Sequence, residues 1–144
     1  MLGKGSNPKR SADSQINHNN MVRYIANDLA SRGYSVFADH INWPRGSFCE
    51  ISGYIPDITA TDTECSLIFE IETCQTYNDD HTREQLTAFD KKGGTYIIIP
   101  PVCSRDNKNY DPVAEVKQNL QNWGLFLVRV GTCDPLTGKI DYNA

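Results

Sequence analysis

Two stretches, Tyr54-Ile55-Pro56-Asp57-Ile58 and Leu67-Ile68-Phe69-Glu70-Ile71-Glu72, decide how this chain folds. Both are rich in isoleucine and aromatic residues and alternate apolar with polar, the pattern of a half-buried strand. Between them, Thr61-Asp62-Thr63-Glu64-Cys65 is short, polar and suited to reversing the chain. With Thr63-Glu64 at the tip, Asp57 falls directly opposite Glu70. Such cross-strand pairs sit about 4.5–5.5 Å apart at Cβ, where like charges destabilise. Glu72 shares a face with Glu70, because strand side chains alternate with period two. Three acids on one face of a hairpin are costly unless a cation lies among them, so the spacing predicts a divalent-metal site. The flanking Ile55, Ile58, Ile68 and Ile71 imply that the acids are buried rather than solvated.

Outward from this hairpin, Ser14 to Arg32 reads as a helix, with Asp13 or Ser14 as its cap and Gly33 just past its end. Its apolar stripe is His18, Val22, Ile25 and Leu29. Tyr34 to Asp39 alternates as a first strand, and His40 to Gly46 is a loop. A second strand runs from Phe48 or Glu50 through Asp57, and the third is Ser66 to Glu72. Asn78 to Lys92 is a second helix, opened by Asn78 and Asp79 and ended by Gly93-Gly94; Thr82, Gln85, Leu86 and Phe89 share its inner side. Thr95 to Ile99 is a continuous apolar strand covered on both faces. Ser104 to Asp111 is a polar loop, Pro112 to Trp123 a third helix opened by proline, and Leu125 to Val130 a last buried strand. The order α-β-β-β-α-β-α-β predicts an α/β sandwich around a central mixed sheet with helices on both faces. The expected division is a disordered basic tail over residues 1–12, one domain over 13–131 and an irregular C-terminal tail over 132–144.

Composition narrows the class. The 144 residues, 39% hydrophobic and 22% charged, suit one soluble domain burying roughly two-thirds of its unfolded surface. No apolar run approaches the roughly 20 residues of a membrane helix. Met1 to Arg10 is polar and basic and lacks the apolar segment of a secretion signal. Cys49, Cys65, Cys74, Cys103 and Cys133 form no Cys-x-x-Cys pair. Their odd number and wide spacing argue against a disulfide framework and a zinc ribbon, and predict reduced thiols in a cytoplasmic protein. A net charge of −4 and a pI near 5.3 are the wrong sign for a protein that coats nucleic acid non-specifically.

The order of elements, with Pro56-Asp57 on one strand and Glu70-Ile71-Glu72 on the next, resembles the PD-(D/E)XK nuclease superfamily, whose restriction-endonuclease-like fold is a three-layer sandwich. The resemblance spans roughly residues 15–99. It implies a Mg²⁺- or Mn²⁺-dependent deoxyribonuclease in which Asp57, Glu70 and the backbone carbonyl of Ile71 hold the metal. Glu72 stands where the family usually has lysine, and would act as general base or help bind a second metal. His18, on the inward stripe of the first helix, and Gln85, in the helix after the acids, match positions of supporting site residues. A structural role is the commoner reading for both, and an exposed salt bridge explains His81 about as well as a site role. Arg45, Arg83, Lys91, Lys92, Lys4, Lys9 and Arg10 are the available phosphate contacts. The implied partner is nucleic acid, DNA before RNA, with specificity supplied by loops, a homodimer or a second protein and with no membrane involved. The rivals are a catalytically silent member of the same fold that binds DNA or protein, and a hydrolase with paired carboxylates such as a glycosidase.

Overall fold

The computed structural model describes residues 10–144. The chain is mixed α/β, built in the order α1 (Ala12–Ser31), β1 (Ser35–Ala38), β2 (Ile58–Thr61), β3 (Ser66–Ile71), α2 (Asp80–Asp90), β4 (Thr95–Ile99), β5 (Cys103–Arg105), β6 (Lys108–Tyr110), α3 (Pro112–Trp123), β7 (Arg129–Cys133) and β8 (Ile140–Asp141). Six strands form one mixed sheet in the order β1-β2-β3-β4-β7-β8, and β5-β6 is a separate hairpin. β1, β2 and β3 are antiparallel neighbours, β3, β4 and β7 run parallel, and β8 returns antiparallel to β7.

Alternation along the strands sends side chains to two helical layers. Ile58, Ala60, Phe69, Ile71, Tyr96 and Ile98 pack with Met21, Val22, Ile25 and Leu29 of α1. Ile97, Ile99 and Val130 pack with Leu86 of α2 and with Val116 and Leu120 of α3, and Ile68 meets Phe89 of α2. The central strand β4 is therefore buried at every position, as a strand covered on both faces must be.

The β2–β3 hairpin turns at Thr63-Glu64. Thr61 pairs with Ser66, and the Asp62 carboxylate accepts from the backbone N–H groups of Glu64 and Cys65. Gly94, at φ +64°, brings the chain back into β4 so closely that a Cβ there would lie 2.6 Å from the Ser66 carbonyl oxygen. Only glycine fits this return.

Several expectations need correction. The first helix starts at Ala12 with Ser11 as its cap, because the Ser11 hydroxyl, not Asp13 or Ser14, accepts the Ser14 N–H. Residues 48–57 are not a strand; they carry one bridge, Ile51 to Tyr54, and β2 begins only after Asp57. Ile55 is exposed rather than buried. Residues 104–111 contain most of the β5–β6 hairpin instead of a plain loop. The last buried strand is shifted to Arg129–Cys133, and Phe126 and Leu127, expected inside it, are exposed in the turn after α3. The C-terminal residues are not an irregular tail, since β8 extends the sheet and the Tyr142 hydroxyl donates to Asp28 at 2.7 Å. Of the expected tail over residues 1–12, residues 1–9, with Lys4 and Lys9, lie outside the described residues.

The cysteines also differ from expectation. Cys74 and Cys103 form a disulfide with a Cα–Cα distance of 5.7 Å across 29 residues, while Cys49, Cys65 and Cys133 are free. Cys74, exposed just past β3, and Cys103, buried at the start of β5, meet because β4 carries the chain back beside the end of β3, which no spacing rule reveals. Thiol titration of the unfolded, unreduced chain should count three reactive groups. Reduction should lower stability by about 3–4 kcal/mol on the loop-entropy account, read by denaturant melts with and without reductant. No helix among the described residues is long and apolar enough to cross a membrane.

Candidate functional site

The site gathers where β2 begins and β3 ends. Register continues one residue beyond the Ile58–Phe69 pair, placing Asp57 opposite Glu70. The Asp57 backbone is pinned on its other side, its carbonyl accepting from Asp39 N–H at 2.8 Å. Its carboxylate leaves the sheet plane: Oδ2 accepts from the Ile71 N–H at 2.8 Å and lies 3.2 Å from His18 Nε2 on α1. Oδ1 lies 3.2 Å from Nε2 of His40, just past β1. Asp57, Glu70 and Glu72 are 3%, 1% and 0% exposed.

Their electrostatics separate them. Burial alone raises a carboxyl, but at Asp57 it is overcome by the charges and hydrogen bonds of His18 and His40, which hold the group well below its ordinary value. Glu70 has no such partner. Burial, then the neighbouring Asp57 and Glu72 carboxylates, push it well above the usual carboxylate range. Glu72 is raised to about 7 by burial and by Asp57, against the opposing influence of Thr76, Arg10 and His18. Asp57 is thus held toward its ionised form, while Glu70 and Glu72 are both pushed toward their protonated forms. His40 is opposed by burial but raised overall by its hydrogen bond to Asp57 and by the charges of Asp57 and Asp39.

Unpaired oxygen atoms mark the same place. Glu70 Oε1, both carboxylate oxygens of Glu72 and Gln85 Oε1 are buried without a hydrogen-bond partner. Buried polar atoms are ordinarily paired, and each orphan costs about 1–3 kcal/mol. Four orphaned oxygens on two neighbouring elements are a donor set suited to a hard cation. Gln85 reaches inward because Thr82, Gln85, Leu86 and Phe89 share the buried side of α2. The Ile71 backbone belongs to the site through its N–H, which Asp57 engages.

Two residues stand beside the acids although nothing in the sequence places them there. His40 lay in a segment read only as a loop; it adopts φ +68°, a region that histidine visits more readily than most residues, and this turns its ring onto Asp57. Antiparallel pairing of β1 with β2 sets Asp39 beside Asp57, so a β1–β2 register would have found its neighbour. Arg10, expected in a disordered tail and as a phosphate contact, has its side chain buried beside Glu72, with Nη2 4.0 Å from Oε1. Its neighbours are tied down, with Ser11 N–H donating to Gln75 and Ser14 Oγ to Thr73. Among the described residues, the group whose ligating atoms converge within 4.8 Å is His18, His40 and Asp57; Asp57 with Glu70 and Glu72, the set expected from spacing, does not converge so tightly.

The remaining candidates sit elsewhere. His81 makes no ion pair among the described residues; its ring packs against Tyr54 and its Nε2 is buried without a partner. Arg45 stacks over Phe37 and donates to Ser35, Arg83 pairs with Asp80 at 3.8 Å, and Lys91 and Lys92 are exposed past α2. No family model, curated protein or solved structure matches this chain, so the chemistry of the site rests on its own geometry.

Proposed function

We propose that the chain is a metal-dependent nuclease of restriction-endonuclease-like architecture that hydrolyses phosphodiester bonds, DNA before RNA. The observation that carries this reading is the set of buried oxygens of Glu70, Glu72 and Gln85 without partners beside an ionised Asp57. The succession α1-β1-β2-β3-α2-β4, with Asp57 at the entry to β2 and the glutamates at the end of β3, supports the architecture.

Asp57, Glu70 and the Ile71 carbonyl would hold Mg²⁺ or Mn²⁺, both of which take oxygen donors. Such an ion supplies Lewis acidity toward a phosphoryl oxygen and makes a bound water more acidic. Glu72, whose value lies at about 7, exchanges a proton at its carboxylate near neutrality, which suits a general base. Arg10 puts a guanidinium beside Glu72, giving this position the positive charge that a lysine in place of Glu72 would bring. His18 and His40 keep Asp57 ionised and oriented, and Gln85 offers a carbonyl oxygen to water. Water attacking phosphorus while the 3′ oxygen departs would leave a 5′ phosphate. Loops, a homodimer or a partner protein would supply specificity.

A second reading, a nuclease-fold module that binds DNA or protein without cleaving it, is favoured by the near-complete burial of all three acids and by glutamate at position 72. Cleavage of plasmid and single-stranded DNA with Mg²⁺ or Mn²⁺ separates the two. The expected result is cleavage that chelation and Asp57→Ala both abolish. Tight binding without cleavage of any substrate would replace the nuclease with the silent module.

A further inference from the structure

We propose that His18, His40 and Asp57 bind a divalent transition-metal ion of the zinc and cobalt class, a site different in donor chemistry from the oxygen set of Glu70, Glu72 and Gln85. It shares Asp57 with the ligands proposed for Mg²⁺ or Mn²⁺ but does not depend on the nuclease reading.

Geometry comes first. His18 Nε2 and His40 Nε2 lie 3.2 Å from opposite oxygens of one carboxylate, and the three ligating atoms fall within 4.8 Å of one another. Donors around a tetrahedral ion at about 2.0–2.1 Å are roughly 3.3 Å apart, so a side-chain adjustment of about 1.5 Å at the widest pair would admit one. The two rings stand edge to face, centroids 4.8 Å apart and planes at 86°, so their nitrogens converge without the rings stacking.

The tautomer of His18 strengthens the case. Gln15 Nε2 donates to Asn19 Oδ1 at 2.9 Å, which fixes that atom as an acceptor. His18 Nδ1, 3.1 Å from the same oxygen, therefore carries the hydrogen. In the neutral ring this leaves the Nε2 lone pair facing Asp57 Oδ2, which already accepts from the Ile71 N–H. Lone pair against carboxylate is repulsive unless a proton or a metal cation lies between them. A carbonyl oxygen on the far nitrogen is also the arrangement by which histidine ligands are oriented and made more basic. His40 supplies the second nitrogen from a backbone at φ +68°, and its ring, 19% exposed, gives an ion a way in. Two imidazoles and one carboxylate suit first-row transition metals, whereas Mg²⁺ favours oxygen.

The test uses Co²⁺ alone, titrated into the chelator-stripped, untagged full chain and followed by its visible ligand-field absorption. One equivalent should bind and give bands of nitrogen ligation, removed by one equivalent of Zn²⁺ but not by excess Mg²⁺. His40→Gln and His18→Gln should each weaken binding by at least about tenfold, and Asn19→Ala by about tenfold or less. His40 lies in a partly exposed loop, so its variant tests the proposal even where His18→Gln fails to fold. Glu70→Gln should leave the bands intact while abolishing any Mg²⁺-dependent cleavage, so failure of the nuclease reading leaves this result untouched. The proposal is overturned if no bands appear, or if His40→Gln binds as wild type does. It is equally overturned if Glu70→Gln removes the bands and His40→Gln keeps them. Each of these leaves His18, Asp57 and His40 as a protonated hydrogen-bond clamp only.

Discussion

Glu70→Gln should make the metal-free protein more stable at neutral pH while reducing Mn²⁺-dependent DNA cleavage by about a thousandfold or more. The two effects have one cause. Glu70 is buried beside Asp57 and Glu72, which together with burial push it well above its ordinary value. Its Oε1 lacks a partner. Glutamine has the same shape and no charge to suppress, and its amide N–H can donate to the ionised Asp57. Relief of such a site is commonly worth of the order of 1 kcal/mol. The same change removes a ligand from the proposed cation. A cation's charge stabilisation of a phosphoryl transition state is worth several kcal/mol, and each 1.36 kcal/mol is tenfold in rate. Thermal melts and Mn²⁺ calorimetry on the chelated variant, with cleavage assays beside them, test both halves. A glutamate with a purely architectural role predicts unchanged Mn²⁺ binding and no rise in melting temperature; that pair of results would remove Glu70 from any site.

The hairpin that carries these acids was legible because its determinants are local. Period-two alternation sets the face of each residue and a two-residue tip sets the register, so Asp57 and Glu70 had to meet. The inner stripes of α1 and α2 followed in the same way from helical spacing, which is why His18 and Gln85 are buried where expected. What escaped was one tight turn and everything fixed by long-range pairing. Residues 48–57 look strand-like by composition yet make a single bridge, because Ser52 and Gly53 take positive φ and fold Ile51 back onto Tyr54 in a tight turn. Arg10 is held through its neighbours Ser11 and Ser14 by Gln75 and Thr73, just beyond Glu72 and some sixty residues away in sequence. The Cys74–Cys103 bridge and the approach of His40 to Asp57 likewise depend on chain returns that no local pattern encodes. The acids and His18 were visible, and the His40 imidazole and the Arg10 guanidinium beside them were not.

That asymmetry matters for stability, because the sequence displays the charges that repel and the fold supplies those that compensate. In the absence of metal the chain should therefore be most stable in mildly acidic solution and lose stability as pH rises through neutrality. Glu72 has a folded-state value of about 7 against an ordinary 4.5. A carboxyl raised by folding contributes its stability fully below the unfolded value and loses it as pH rises through the folded one. The gap between 4.5 and about 7 corresponds to about 3 kcal/mol for a fully buried group. Glu70, raised for similar reasons, and His40, raised by Asp57, act with the same sign. Asp57 acts oppositely: its depressed value contributes stability above the ordinary carboxylate range that is lost as pH falls through the folded value. The two slopes leave a maximum between them. Urea melts of chelated protein at about pH 5 and about pH 8.5 should differ by roughly 3 kcal/mol or more. Glu72→Gln should remove the share belonging to Glu72 and leave those of Glu70 and His40. Saturating Mn²⁺ should flatten the alkaline limb, since a cation among the acids replaces the protons and adds about 4 kcal/mol at a thousand times its dissociation constant. A metal-free chain equally stable at both pH values, or one that Mn²⁺ stabilises no more at alkaline than at acid pH, would mean that these carboxyls are solvated and hold no ion.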